Sequence, residues 1–330
     1  MKYRKHFWLF VFLAFIGFPL AVAAKLDKTN VSSDNVDKFN FVFSIKSGLA
    51  CDGSLNPMKL IDGTIKSSDS VYVGDKPLTK IKAQAQSLRL ITGHTAATLP
   101  KGSFELAIQH RFGALNSGAY NLYGLDNFNS MRIAADYGVF DRLTAGIGRS
   151  SFRKTYNGYI KWRFFGKPES KFNLTYLADM AIDARSRADW YLEPFFQSHR
   201  LFFTHQLIAS WQVNNGLLLS LSPTIVHANL VSQHNYSNDM PVISGYIRQQ
   251  IIPKFALTGE VSAMIPGILH VKPKNHATIG FGFEYFTPKH AFQINLTNSR
   301  ALNEAYFLTD NPSSTLLGDF SLGFNLIRRW

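Results

Sequence analysis

Cysteine is nearly absent from this 330-residue chain, Cys51 being the only one. An intramolecular disulfide, a CxxC redox pair and a CxxCH haem attachment are therefore excluded. Gly48, Leu49 and Ala50 precede Cys51 in faint likeness to a lipoprotein box, but far from the N-terminus and after no long apolar run. Charge is scarce too, at 17% of residues. Past the first two dozen positions no apolar run approaches the length of a membrane helix, which excludes a helical membrane protein. Ten histidines are present, one of them His6, and none forms an HxH, HxxxH or His-carboxylate cluster at metal-ligand spacing. A phosphate-cradling glycine loop is missing as well, since Gly280, Phe281 and Gly282 read as strand. Neither a cofactor nor a metal is expected.

What the chain has in quantity is aromatic rings, 28 Phe, 13 Tyr and 5 Trp. A soluble core buries so many poorly, whereas a membrane barrel turns them to lipid and into interfacial girdles. Lys2, Arg4 and Lys5, an uncharged apolar run over 7–24 and the small residues 21–24 read as a secretory signal cleaved near Ala23 or Ala24. Its loss lowers the formal net charge from +13 to +10. The remaining Lys and Arg are scattered along the chain, so nucleic acid is not an expected partner. Outer-membrane lipid, lipopolysaccharide and small polar or anionic solutes are.

The stretch 317–330 shows the pattern most clearly. Phe320, Leu322, Phe324 and Leu326 alternate with Asp319, Ser321, Gly323 and Asn325, and the sequence ends on Trp330. Period two with one wholly apolar face describes a strand between two solvents. A terminal aromatic after such a strand resembles the sorting signal read by the barrel assembly machinery. Phe320, Leu322, Phe324, Leu326 and Trp330 are its expected elements.

Twelve alternating segments can be marked from residue 103 onward, at 104–112, 131–139, 143–150, 156–165, 172–183, 200–213, 217–227, 242–251, 255–265, 277–285, 291–298 and 317–330. Connections after even-numbered segments are short and rich in turn residues, such as Asn214-Asn215-Gly216 and Ile252-Pro253-Lys254. Those after odd-numbered segments are mostly long. That alternation predicts a closed, all-β, antiparallel up-and-down transmembrane barrel of about twelve strands in a Gram-negative outer membrane, with both chain ends periplasmic. A soluble β-sandwich also alternates, but its loops lack this length pattern. Residues 1–24 are the signal peptide, 25–102 a periplasmic leader or a plug folded into the lumen, and 103–330 the barrel.

Leu88 to His94, Leu99 to Gly102, His110 to Gly113, Gly124 to Asp126, Gly148 to Ser151, Lys154 to Tyr156 with Gly158, Ser222 to Thr224 with His227, Phe292 to Ile294 and Thr297 to Ser299 stand in this order along the chain. Together they resemble a membrane-bound β-barrel family catalogued as a domain of unknown function. The likeness runs from about Ser87 to the end of the chain. It implies an outer-membrane barrel and supplies no reaction, substrate or catalytic residue.

Strand parity turns Glu105, Arg111, Arg132, Asp136, Lys161, Arg163, Lys171, Asp179, Asp183, Arg248, Glu260, Glu284 and Arg329 into the lumen. Such mixed acid and base either lines a polar pathway or pairs across strands to hold the barrel shut. The aromatic loops 113–127 and 184–199, with Tyr120, Tyr123, Trp190, Tyr191, Phe195 and Phe196, fold inward, stack on a sugar or form the outer girdle. A passive channel or binding barrel for a small polar or anionic solute is the first expectation, and a closed structural or partner-binding barrel the second. The third is a surface enzyme of lipase or protease type, drawing on Ser222, His227, His276 and Asn298. It is disfavoured because Ser222 and His227 are an odd number of residues apart and point to opposite faces.

Overall fold

The computed structural model describes residues 87–186, 196–231, 237–265, 276–314 and 317–330. The expected signal peptide, residues 25–86 with Cys51, and the loop aromatics Trp190, Tyr191 and Phe195 lie outside the described residues. Among the described residues no helix is long and apolar enough to cross a membrane.

Twelve strands form the wall. They are β1 (Phe104–Ala114), β2 (Phe128–Phe140), β3 (Leu143–Ser150), β4 (Thr155–Phe165), β5 (Phe172–Asp183) and β6 (Leu201–Gln212). They continue as β7 (Leu217–Ala228), β8 (Asp239–Ile252), β9 (Phe255–Met264), β10 (Thr278–Phe286), β11 (His290–Thr297) and β12 (Ser321–Arg329). Each pairs antiparallel with its sequence neighbours, and β1 pairs with β12, so the sheet closes into an up-and-down barrel with no free edge. At the seam Glu105 lies opposite Arg329 and Ile108 opposite Leu326.

Strand formation follows from alternation between two environments. On β4, Tyr156, Ile160 and Trp162 are exposed on the outer face while Thr155, Asn157, Tyr159, Lys161 and Arg163 are buried inside. β10, β11 and β12 place Phe283, Ile294 and Phe324 side by side on the outer surface. Aromatic rings gather at the end that carries the short turns. There Phe104 meets Trp330 at 5.6 Å, Phe255 meets Tyr285 at 4.9 Å and Phe165 meets Phe172 at 6.1 Å. Such a belt is the interfacial girdle expected of a barrel in a bilayer.

Several boundaries and placements differ from the sequence reading, among them β2, which starts at Phe128 instead of Met131. Residues 317–319 form a 3-10 turn instead of strand. Phe320 is consequently buried at 5% exposure, off the outer apolar face, and its carbonyl accepts from the Leu115 amide at 2.8 Å. Ser314 donates from both Oγ and N to the Asp319 carboxylate, which holds that group below the usual carboxylate range. Lys171 sits exposed ahead of β5 and does not line the lumen. β8 starts at Asp239, three residues before the expected Val242, because Pro241 is tolerated near a strand start, where the missing N–H forfeits one ladder bond.

The connection between β11 and β12 turns into the barrel. Its single helical turn, α1 (Glu304–Phe307), starts at Asn303, whose side chain accepts from the Tyr306 amide, and all four of its residues are buried. Ala305, Tyr306 and Phe307 pack with Phe202, Val226, Met240 and Val242 of the inner wall. By contrast, the connection after β1 carries Tyr120 at 94% exposure and Tyr123 at 59%, so those rings do not fold inward.

Candidate functional site

The lumen is filled from both ends. From the short-turn end comes residues 87–102, tied to the rim by Leu99 N donating to Thr144 Oγ1 at 2.8 Å, Lys101 N to Asp141 Oδ1 at 2.9 Å and Gly102 N to Gly138 O at 2.7 Å. Residues 88–95 then double back as a tight hairpin. Thr95 N donates to Leu88 O at 2.9 Å and Leu90 N to Gly93 O at 3.1 Å, with Arg89 bridged to His94. Leu88, Leu90, Ile91 and Leu99 are fully buried. At the tip only a glycine fits, because a Cβ at Gly93 would collide with the Tyr246 ring.

The wall holds this hairpin chiefly by its main chain. Arg111 Nη2 donates to Ile91 O at 2.9 Å, and Asn325 Nδ2 donates to the same oxygen at 2.9 Å and to Leu90 O at 3.3 Å. Gln293 Nε2 donates to Arg89 O at 3.1 Å, Lys161 Nζ to Leu88 O at 3.2 Å and Thr175 Oγ1 to Ala96 O at 2.7 Å. On the far side Glu260 Oε2 accepts from Thr92 N at 2.9 Å and Gly93 N at 3.1 Å. Thr92 Oγ1, 3.2 Å from Arg111 Nη2, is the side-chain exception.

Where the two insertions meet stands a buried ion pair. Arg89 donates from Nη1 to Glu304 Oε1 at 2.5 Å and from Nη2 to Oε2 at 3.2 Å, and His94 Nε2 lies 3.3 Å from Oε1. A fork-to-fork arginine–carboxylate pair is strong and directional when both partners are out of water. Tyr159 closes the site, with the Arg89 guanidinium 6.0 Å from its ring centroid and His94 edge-on at 4.6 Å. Its hydroxyl donates to Asp136 Oδ1 at 2.7 Å.

The remaining lumen candidates divide between mid-barrel and rim. Arg132 reaches Gln109 Oε1 at 3.1 Å and Asn157 Oδ1 at 3.3 Å, and Asn157 donates to Asp179 Oδ2 at 2.6 Å. Toward the short-turn rim Arg248 pairs with Glu284 at 2.7 Å, Arg329 with Glu105 at 2.5 Å, and Arg163 donates to Asp141 O at 3.0 Å. At the long-loop end Asp183 pairs with Arg185 at 2.7 Å and accepts from Tyr306 Oη at 2.6 Å. Sequence reasoning passed over Arg89, Glu304, Gln293, Asn325, Asn157 and Tyr159. Parity on β4, β11 and β12 carries the signal for Asn157, Tyr159, Gln293 and Asn325. Nothing local marks Glu304.

The hydrolase constellation is not assembled. Ser222 is buried on the inner face, whereas His227 lies on the outer face with Nδ1 2.7 Å from Asp239 Oδ1. Asn298 instead staples a loop, accepting from Ile279 N at 2.8 Å and donating to Ala277 O at 2.8 Å.

A family model described as a membrane bound beta barrel domain (DUF5777) matches residues 86–330. The chain belongs to this family. No curated protein matches the sequence. Among solved structures, the NanC porin aligns with a TM-score of 0.42 at 10% identity, over 68% of this chain and 97% of the porin. The KdgM porin gives 0.40 at 8%, over 69% and 98%. An outer membrane channel of the COG4313 group from Pseudomonas putida F1 gives 0.40 at 13%, over 71% and 98%. At these values the likenesses carry no functional argument. Membership of the family makes the barrel a membrane-bound one, with the apolar outer face in lipid and the polar inner face enclosed.

Proposed function

We propose that this barrel is a passive outer-membrane channel for small polar solutes, held here in a closed state by the 87–102 segment and α1. The observation that carries this reading is what fills the interior. Twelve strands enclose more space than their own side chains fill, and the surplus is taken up by two insertions, the hairpin hydrogen-bonded to a polar stretch of wall and α1 packed on an apolar one. Removing the hairpin leaves a stretch of lumen lined by hydrogen-bonding groups. Arg111, Arg132, Lys161, Arg163, Arg248 and Arg329 are set against Glu105, Asp136, Asp179, Asp183, Glu260 and Glu284. This balance favours polar over strongly anionic solutes. The short turns face the periplasm in this reading, the aromatic girdle contacts lipid, the long loops meet lipopolysaccharide, and β12 carries the signal for the assembly machinery.

The test is planar-bilayer recording of the full chain alongside Arg89→Gln and Glu304→Gln. Rare, weakly ion-selective steps are expected from the parent, with open probability raised several-fold by either substitution. Folded barrels that stay silent in all three forms would replace the channel by a closed structural or partner-binding barrel.

A further inference from the structure

The peptide group joining Ile91 to Thr92 is held in an unusual way for a neutral group. Its oxygen accepts from Arg111 and Asn325, each at 2.9 Å, and its N–H donates to Glu260 at 2.9 Å. Arg111 and Glu260 are both buried, at 0% and 4% exposure. Arg111 donates also to His110 O, Asn325 Oδ1 and Thr92 Oγ1, all neutral groups, and among the described residues neither side chain lies within ion-pair distance of an opposite charge. Each also keeps spare capacity, since Arg111 Nε and Glu260 Oε1 have no hydrogen-bond partner there. A buried charge is costly unless an opposite charge or a full set of hydrogen bonds compensates it. A cation and an anion placed on opposite edges of one amide are complementary to something more polar than an amide.

We propose that this place is a binding site for a zwitterionic α-amino compound, a free amino acid, and that the hairpin occupies it as a tethered stand-in. The carboxylate of such a ligand takes the position of Ile91 O, giving Arg111 a charge-assisted, two-pronged acceptor with Asn325 beside it. Its ammonium takes the position of Thr92 N and supplies Glu260 with a counter-charge. The two anchors bracket a single peptide unit, so they suit opposite charges flanking one carbon and not charges far apart along a chain. A simple anion or a simple amine satisfies one anchor and strands the other. The Ile91 side chain lies against Gly280, where a Cβ would come within 3.1 Å of it, so the same space accepts an aliphatic side chain. This inference rests on the channel reading, with the hairpin as the part that leaves when the site is taken.

Competition is against a covalently tethered rival whose effective concentration is on the order of millimolar, so free ligand acts only at about ten-millimolar levels or above. The experiment is hydrogen exchange of residues 88–95 in the detergent-solubilised full chain. L-isoleucine is compared with N-acetyl-isoleucine, which lacks the ammonium, isoleucinamide, which lacks the carboxylate, and sodium chloride at the same concentration. The expected result is a several-fold acceleration at Thr92 and Gly93 with L-isoleucine alone. Glu260→Gln should abolish its advantage over N-acetyl-isoleucine. Should that variant not fold, the ligand series on the parent chain still decides. Equal acceleration by all four additions, or none by L-isoleucine, overturns the site. Bilayer recording of the same preparation separates the two readings. Conducting steps with no isoleucine effect on exchange leave the channel and remove the site, whereas isoleucine-driven exchange in a silent barrel leaves the site and removes the channel.

Discussion

Gly93 shows how one residue sets the state of the lumen. It sits at the hairpin tip against the Tyr246 ring, with its amide 3.1 Å from Glu260 Oε2. A methyl group there cannot be absorbed by rotating a surface side chain, because Tyr246 is buried at 4% exposure. Gly93→Ala is therefore expected to dislodge the hairpin while leaving the wall intact. In hydrogen exchange, protection should drop over residues 88–95 and persist across β1 to β12. Unchanged hairpin protection would mean that the tip has more room than this packing implies. Arg89 and Glu304 act at the same scale. Removing one partner of a buried ion pair leaves the other uncompensated, a loss of about 3–5 kcal/mol, and both insertions would feel it.

At the scale of elements, α1 and the wall strands respond differently to truncation. Phe307 is fully buried among side chains of the inner wall near the long-loop end. Phe307→Ala costs about 3–5 kcal/mol by transfer and cavity formation, and the cost falls on docking of the β11–β12 connection because the wall is held by its own ladder. Limited proteolysis should cut near residues 299–314 in the variant without lowering the barrel's melting temperature. A matching drop in barrel stability would show that α1 is integral to the wall.

This contrast also explains what the sequence made legible. A strand between lipid and lumen sees two environments in alternation, and each of the twelve wrote that alternation into its residues. Parity assigns Arg111, Lys161 and Glu260 to the interior. The hairpin and α1 are enclosed on all sides, so no period marks them. Leu88, Leu90 and Ile91 read as part of a mixed stretch ahead of β1, which leaves residues 25–102 open between leader and plug. Glu304 is one carboxylate in a polar connection, and its partner lies 215 positions away. Phe320 fits the alternation by spacing alone, but the 3-10 turn before it swings its side chain inward.

For the whole molecule, the outer surface is the solvent-matching part. Ile294 lies between Phe283 and Phe324 on that surface at 58% exposure. Ile294→Arg places a charge in lipid near mid-strand, at a cost of about 2–4 kcal/mol. Phe140→Arg, at the end of β2 beside a short turn, should cost only about 0–1 kcal/mol. Urea unfolding in lipid vesicles should show that ranking, and equal losses at the two sites would contradict the depth assigned to them.

The seam between β1 and β12 carries one more consequence, for the order of events during biogenesis. Glu105 and Arg329, paired across it, are 224 positions apart. No partial chain can close the sheet, so the ring forms only after the last strand has been made, and such long-range pairing is intrinsically slow. The hairpin immediately precedes β1, so it is made before any strand of the wall and is at hand throughout the time the sheet curls. A plug encoded ahead of the wall can enter as soon as the ring closes, which shortens the time a new barrel stands open in the bilayer.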